Sequence, residues 1–198
     1  MLYIITDNRN ILHKKYIFET IFTNFIHLDY QLIIEDAENS LFTIELEDCD
    51  TKICFTNIFF NTTDDSFLNK QTLPTQLPNS ILCKQYEINS FFNDILTIFY
   101  KTEDDFLKKL DNTYYFNFDF FGTIFFYLTR FEEYLIEQKD IHNRVDLVEF
   151  YAVRNNIAHR PLVDEYILFF RSFLRKIDRK STRLNSSHRN TSRMPSSA

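Results

Sequence analysis

Apolar residues change period several times along the chain, and each change marks an element. Leu2 to Thr6 is a short run rich in β-branched residues and reads as a buried strand. From Ile11 to Ile26 the spacing becomes helical. Ile11, Tyr16, Phe18, Ile21, Phe22 and Phe25 recur on one side, His13, Lys14, Lys15, Glu19 and Asn24 occupy the other, and Asn10 stands where an N-cap belongs. Tyr30 to Glu35 returns to strand, so the chain opens β-α-β. Leu41 to Leu46 alternates, with Phe42, Ile44 and Leu46 against Leu41, Thr43 and Glu45, which predicts a sheet with one solvated face. Lys52 to Phe55 reads as a further short strand.

Asn61 to Ser80 is loop-rich, with Asp64-Asp65, Pro74 and Pro78. Ile81 to Ile88 and Ile95 to Phe99 have strand character, the second also being compatible with helix. Thr102-Glu103-Asp104-Asp105 has the form of a capping box and predicts a short helix from Glu103 to Leu110. Asp119 is placed to cap a helix from Phe120 to Ile136 whose first half is apolar nearly all round, and which is therefore expected inside the domain. Pro161 suits the first position of a last helix, Leu162 to Ile177. Asp164 and Glu165 in its first turn and Arg175, Lys176 and Arg179 at its end complement the helix dipole. The expected fold class is α/β: a single mixed-sheet domain over residues 1–179, flanked by helices, with a β-α-β start and two long C-terminal helices.

Composition breaks near Lys180. Residues 181–198 hold six serines, against five in all that precedes them, and contain no Phe, Ile, Tyr, Asp or Glu. The stretch resembles translated sequencing-adaptor or vector sequence. Residues 180–198 are accordingly expected to be a disordered, non-native tail, with the chain truncated before whatever followed. Arg183, Arg189 and Arg193 give the tail +3 of a net charge of −6, so the body carries −9.

That acidity, with a pI near 5.4, argues against nucleic acid as a partner, since a polyanion needs a basic face to displace its counterions. The composition is otherwise lopsided, with 23 Phe and 11 Tyr beside one Gly and no Trp. A single glycine excludes the glycine-rich phosphate loops GxGxxG and GxxxxGK. Cys49, Cys54 and Cys83 form no CxxC pair and read as two buried thiols and a spare. The first residues lack the pattern of a signal peptide, and no apolar run approaches the roughly 20 residues of a spanning helix. A cytoplasmic protein with no membrane partner is the resulting expectation.

Two groups of residues carry possible chemistry. Arg130, Glu132, Glu133 and Asp140 cluster near the end of the helix that starts at Asp119. Arg130 and Glu133, three apart, can pair on one helix face. The adjacent Glu132 and Glu133 point in different directions and make a poor acid/base couple. A solvated helix end is one reading, and a carboxylate-lined interface beside Arg144 the other. In Arg154-Asn155-Asn156-Ile157-Ala158-His159 the R-x4-H spacing resembles the motif of helical HEPN-type ribonucleases, in which an imidazole moves the 2′-hydroxyl proton and a guanidinium steadies the phosphate. That fold is an all-helical bundle. His13, His27, His142 and His159 include no pair at metal-ligand spacing, and there is no G-x-S-x-G elbow. No catalytic centre and no metal site are therefore expected within this chain.

Three ordered stretches carry a wider resemblance. Ile5-Thr6-Asp7-Asn8 with Lys15 to Phe22 comes first. Phe118-Asp119-Phe120-Phe121-Gly122 follows, running through Leu128-Thr129-Arg130-Phe131-Glu132-Glu133-Tyr134 to Asp140-Ile141-His142-Asn143-Arg144. Arg160-Pro161-Leu162-Val163-Asp164-Glu165-Tyr166 is last. Together they resemble an uncharacterised α/β domain at the N-terminus of bacterial polysaccharide-deacetylase-like proteins, over about residues 1–178. In this chain Asn143 stands at the usual glycine of the turn, a position Asn can fill by adopting left-handed geometry. The resemblance implies a catalytic NodB-type domain following in cis, using a divalent metal on an Asp-His-His site with an Asp base to remove acetyl groups from a polysaccharide. No cofactor is then expected in this chain, which would be a non-catalytic module; an interaction module unrelated to sugars is the further alternative. The motif residues Asp119, Arg130, Glu132, Glu133, Asp140, Arg144, Pro161, Asp164 and Glu165 become the candidates for an interface with that domain or with a sugar.

Overall fold

A computed structural model describes residues 1–36, 40–47, 49–62, 67, 79–82, 95–98 and 105–191, with the backbone alone at 79–82, 95–98 and 178–191. Its centre is a six-stranded mixed sheet. In chain order the strands are β1 (Leu2–Asp7), β2 (Tyr30–Glu35), β3 (Leu41–Leu46), β4 (Lys52–Thr56), β7 (Leu107–Leu110) and β8 (Thr113–Phe116). They lie side by side as β2-β1-β3-β4-β8-β7, while β5 (Asn79–Leu82) and β6 (Ile95–Ile98) pair antiparallel in a separate two-stranded sheet. β1 and β2 are parallel, joined by α1 (Ile11–Phe18), which runs on as π-helical turns over Glu19–Ile26. The expected β-α-β opening and the α/β mixed-sheet class are both observed.

Register explains how the sheet makes its core. Ile4 lies opposite Ile44, Ile44 opposite Ile53, Phe42 opposite Phe55 and Phe55 opposite Phe116, so one face is a continuous apolar surface. Helices cover that face. Phe42 meets Phe18 and Phe121 at 5.7 and 5.0 Å, Phe55 meets Phe170 at 5.7 Å, and Phe116 meets Phe173 at 4.8 Å between ring centroids. All four pairs are edge-to-face, the arrangement that the aromatic quadrupole favours. Tyr3, Ile5, Thr43 and Glu45 on the other face are half-buried, as the alternation predicts.

Gly122 sits where a side chain has no room. A Cβ there would stand 2.3 Å from the Phe59 Cβ and 2.5 Å from the Asp119 Oδ2. The glycine thus lets the first turn of α2 (Phe120–Leu128) close on the segment after β4.

Several expectations need correction. The helix from Phe120 is not continuous to Ile136. It stops at Leu128, Arg130 takes a left-handed φ of 51°, and α3 (Phe131–Leu135) starts in a new direction. The Thr129 hydroxyl, donating to the Phe125 carbonyl at 2.8 Å, helps end the helix, and the turn brings Phe131 against Phe59 at 4.9 Å. Among the described residues there is therefore one long C-terminal helix, α5 (Leu162–Thr191). Pro161 immediately precedes it, and its described buried residues end at Ile177 although the helical backbone runs on. The expected helix up to Leu110 is instead β7, which forms a hairpin with β8. Asp111 takes a φ of 49° in the two-residue turn, as tight hairpins require. The capping box at 102–104, most of the loop-rich segment and residues 83–88 lie outside the described residues.

Asn10 is not a side-chain N-cap either. Its φ is 50°, and its amide nitrogen donates to the carbonyls of Phe60 at 3.1 Å and Thr62 at 2.8 Å, tying the start of α1 to the segment after β4. A short helix, α4 (Tyr151–Arg154), lies between α3 and α5. No described helix is long and apolar enough to cross a membrane.

Candidate functional site

Two polar groupings stand out against the phenylalanine core. The first lies at the C-terminal end of β1, where parallel strands leave polar backbone ends facing a crossover helix. Lys14 is fully buried. Its ammonium donates to the Asp7 Oδ1 at 2.5 Å, the Thr6 hydroxyl at 3.1 Å and the Asp7 carbonyl at 3.2 Å. Arg9 engages the second oxygen of the same carboxylate, its terminal nitrogen 2.6 Å from Oδ2. Burial pushes the Asp7 carboxyl up, but the hydrogen bonds from Arg9 and Lys14 outweigh it and hold the group below the usual carboxylate range. Burial draws the Lys14 ammonium down, against the pull of Asp7.

Asp119, the N-cap of α2, shares the Lys14 field. It has no exposed surface, and its carboxylate accepts from the amides of Ile58 at 2.9 Å, Phe59 at 2.6 Å and Gly122 at 2.7 Å. Burial raises its carboxyl to about 6 despite these three donors. Asp119 is therefore a structural clasp between α2 and the segment after β4 and takes no part in a surface interface.

The second grouping is a cleft of about 530 Å³ between α2–α3, the α4 turn and the start of α5. Four expected motif residues, Arg130, Glu132, Pro161 and Asp164, line it together with the aromatic rings of Phe126, Tyr127 and Phe150. Left-handed Arg130 reaches the Glu133 carboxylate at 2.6 Å, the pair expected from their spacing, and lies over the Phe150 ring at 5.4 Å. Glu132 turns inward and is 6% exposed; its Oε2 accepts from the Tyr151 amide at 2.6 Å. Burial raises the Glu132 carboxyl above its usual range, with the Tyr151 amide and the Arg154 charge opposing. Burial also moves the Tyr151 phenol up to about 12.

The remaining motif residues divide. Glu165 is fully buried and holds the Arg160 guanidinium through two contacts, 2.9 Å to Oε1 and 2.5 Å to Oε2, which fixes Arg160 at the cleft wall. Asp140 and Arg144 pair with each other at 2.9 Å in an exposed turn, where Asn143 takes the left-handed geometry expected of it, φ 59°. The backbone amide of Arg144 leads the donors that hold the Asp140 carboxyl below its usual range. Arg154 closes α4, and His159 is exposed in the turn before Pro161. The mixed sheet around them is not the all-helical bundle that the ribonuclease reading requires.

Lys14 and Arg9 are not identifiable as site residues from pattern alone. The helical spacing puts Lys14 on the polar side, where it would be solvated. A signal existed in Asp7, an acid closing an apolar strand, with the first turns of a helix in reach. Tyr151 carries no signal in the sequence, since its amide meets Glu132 only through the packing of the fold.

Among the described residues, no group of three or more His, Cys, Asp or Glu side chains is placed to hold a metal ion. Cys49 and Cys54 are free thiols, the second buried, and burial raises it. No curated protein and no solved structure matches the chain. One family does, over residues 2–179, stopping where the composition breaks, and the chain thus belongs to the family of unknown function DUF7033.

Proposed function

We propose that this domain is a non-catalytic, substrate-handling module of a polysaccharide-deacetylase-like protein, acting beside a NodB-type catalytic domain in cis. The observation that carries the reading is convergence. The two stretches most responsible for the resemblance, 118–134 and 160–166, are separate in sequence, yet both contribute walls to one cleft through Arg130, Glu132, Pro161 and Asp164. Conjunction of aromatic walls with a few fixed polar groups is the general form of a small-molecule site. Chemistry on the acetyl group would be supplied by the divalent metal of the neighbouring domain, while this chain would orient the sugar.

The test is to read the gene beyond codon 180 and to assay the full-length protein for acetate release from an N-acetylated oligosaccharide, with the present chain alongside. Release by the full-length protein and none by this chain is expected. A following segment without Asp and His metal ligands, or release by this chain alone, would overturn the reading.

A further inference from the structure

Ile141 is 95% exposed, the most open of the large apolar side chains among the described residues, and it stands on a closely tied turn. The Lys139–Val145 bridge closes the turn, and Asp140 Oδ1 accepts from the amides of His142 at 2.8 Å and Arg144 at 2.9 Å. The Arg144 guanidinium closes on the second oxygen of the same carboxylate. An apolar side chain held out on fixed backbone loses little freedom when it docks. Two residues beyond the bridge, Leu147 lines the cleft, so a projecting apolar knob and a largely apolar cleft lie close together in one chain. Leu147 and Val153 at the cleft, and Val148 beside it, are exposed as well. Exposed apolar groups clustered in this way mark an interaction surface.

Charge indicates what this surface takes. Across the turn, Lys139 and Arg144 against Asp140 leave +1. At the cleft, Arg130, Arg154 and Arg160 against Glu132, Glu133, Asp164 and Glu165 leave −1. We propose that the partner is a second copy of this chain, in a two-fold dimer in which Ile141 of each copy enters the cleft of the other. Such an interface is self-complementary, since one knob and one cleft on each copy make two equal joints. Burial of both isoleucines supplies the apolar drive, and the opposite charges of turn and cleft set the orientation. A filled cleft cannot hold a sugar, so the dimer is the closed state of the module. The pairing itself does not rest on the deacetylase-linked reading.

The experiment is sedimentation equilibrium of the 198-residue chain from about 1 to 300 µM, where a monomer–dimer equilibrium with a dissociation constant on the order of micromolar is expected. Ile141→Asp should weaken it at least about thirtyfold, and so should Ala158→Trp, which fills the cleft from its wall. Both positions are exposed, so neither change disturbs the core. Mixing the two variants should restore dimers, because the intact knob of the Ala158→Trp chain meets the intact cleft of the Ile141→Asp chain. With one joint in place of two, these dimers should be weaker than those of the wild type. A wild type that stays monomeric throughout, a dimer indifferent to Ile141→Asp, or a mixture that remains monomeric would overturn the proposal. Acetate release by the full-length protein is a separate readout, so failure of the dimer and failure of the deacetylase link are told apart.

Discussion

The Lys14 ammonium and the Asp7 carboxylate stand 2.5 Å apart with both side chains withdrawn from solvent, a buried ion pair across the β1–α1 connection. Arg9 adds a second cation to the same carboxylate from the partly exposed side. Removing one member of a buried pair leaves the other desolvated without compensation. Lys14→Met should therefore cost about 3–5 kcal/mol in urea unfolding. A loss below about 1 kcal/mol, the range of a surface ion pair, would show that Lys14 reaches water.

Gly122 offers a second test through steric exclusion. Its missing Cβ leaves space that the Phe59 Cβ and the Asp119 carboxylate fill, and both neighbours are buried and fixed by hydrogen bonds or packing. Gly122→Ala should destabilise by about 3 kcal/mol, the upper part of the range for overpacking, because neither neighbour can swing aside. In an open helix position the same change would stabilise by about 1 kcal/mol. The sign of the measured change therefore decides the matter.

Much of this fold is legible in period alone, because the strands β1 to β4 and the buried helices are long apolar repeats with one face each. Failures fall where a single residue overrides the pattern. Arg130 adopts left-handed backbone, which no periodicity announces, and so splits an apparently continuous helix. The Asp111-Asn112 turn makes a hairpin of a stretch that the capping box at Thr102 marks as the start of a helix. In the cleft, Glu132 reads from the sequence as part of a solvated helix end or of a carboxylate-lined interface. Its inward turn depends on the Arg130 backbone and on the Tyr151 amide, nineteen residues away. Lys14 is the plainest case: a long stem on a polar helix face carries its charge into the core only because Asp7 waits there.

Phe125 measures how much the second helix contributes to the core. It is 4% exposed and packs against Phe60 at 5.2 Å, Phe59 at 5.6 Å and His13 at 5.7 Å. Phe125→Ala should cost about 3–5 kcal/mol, combining lost transfer energy with the cavity left behind. A change below about 1 kcal/mol in denaturant unfolding would mean that the cluster collapses into the gap or that α2 is not where it is placed.

Asp119 makes stability depend on pH in a direction opposite to that of most carboxylates. Its proton is held at about 6 in the fold against 3.8 ordinarily, so the folded state binds that proton more tightly than the unfolded chain does. The stability this confers is complete below pH 3.8 and is lost as the pH rises through about 6. The difference amounts to about 3 kcal/mol. Asp7, whose carboxyl is depressed, contributes stability that fades only as the pH falls below its ordinary value of 3.8, outside that rise. Glu132 shifts in the same direction as Asp119, so the contribution has to be isolated by comparison with Asp119→Asn. The asparagine offers one accepting oxygen where the carboxylate offers two. At pH 4.5 the variant should be less stable by about 1–3 kcal/mol, the cost of an amide left without its acceptor. Between pH 4.5 and 7 the wild type loses its Asp119 contribution and the variant has none to lose, so the gap should close or reverse. Urea titrations of both proteins across that range measure it, and a gap that stays constant would show that Asp119 does not titrate there.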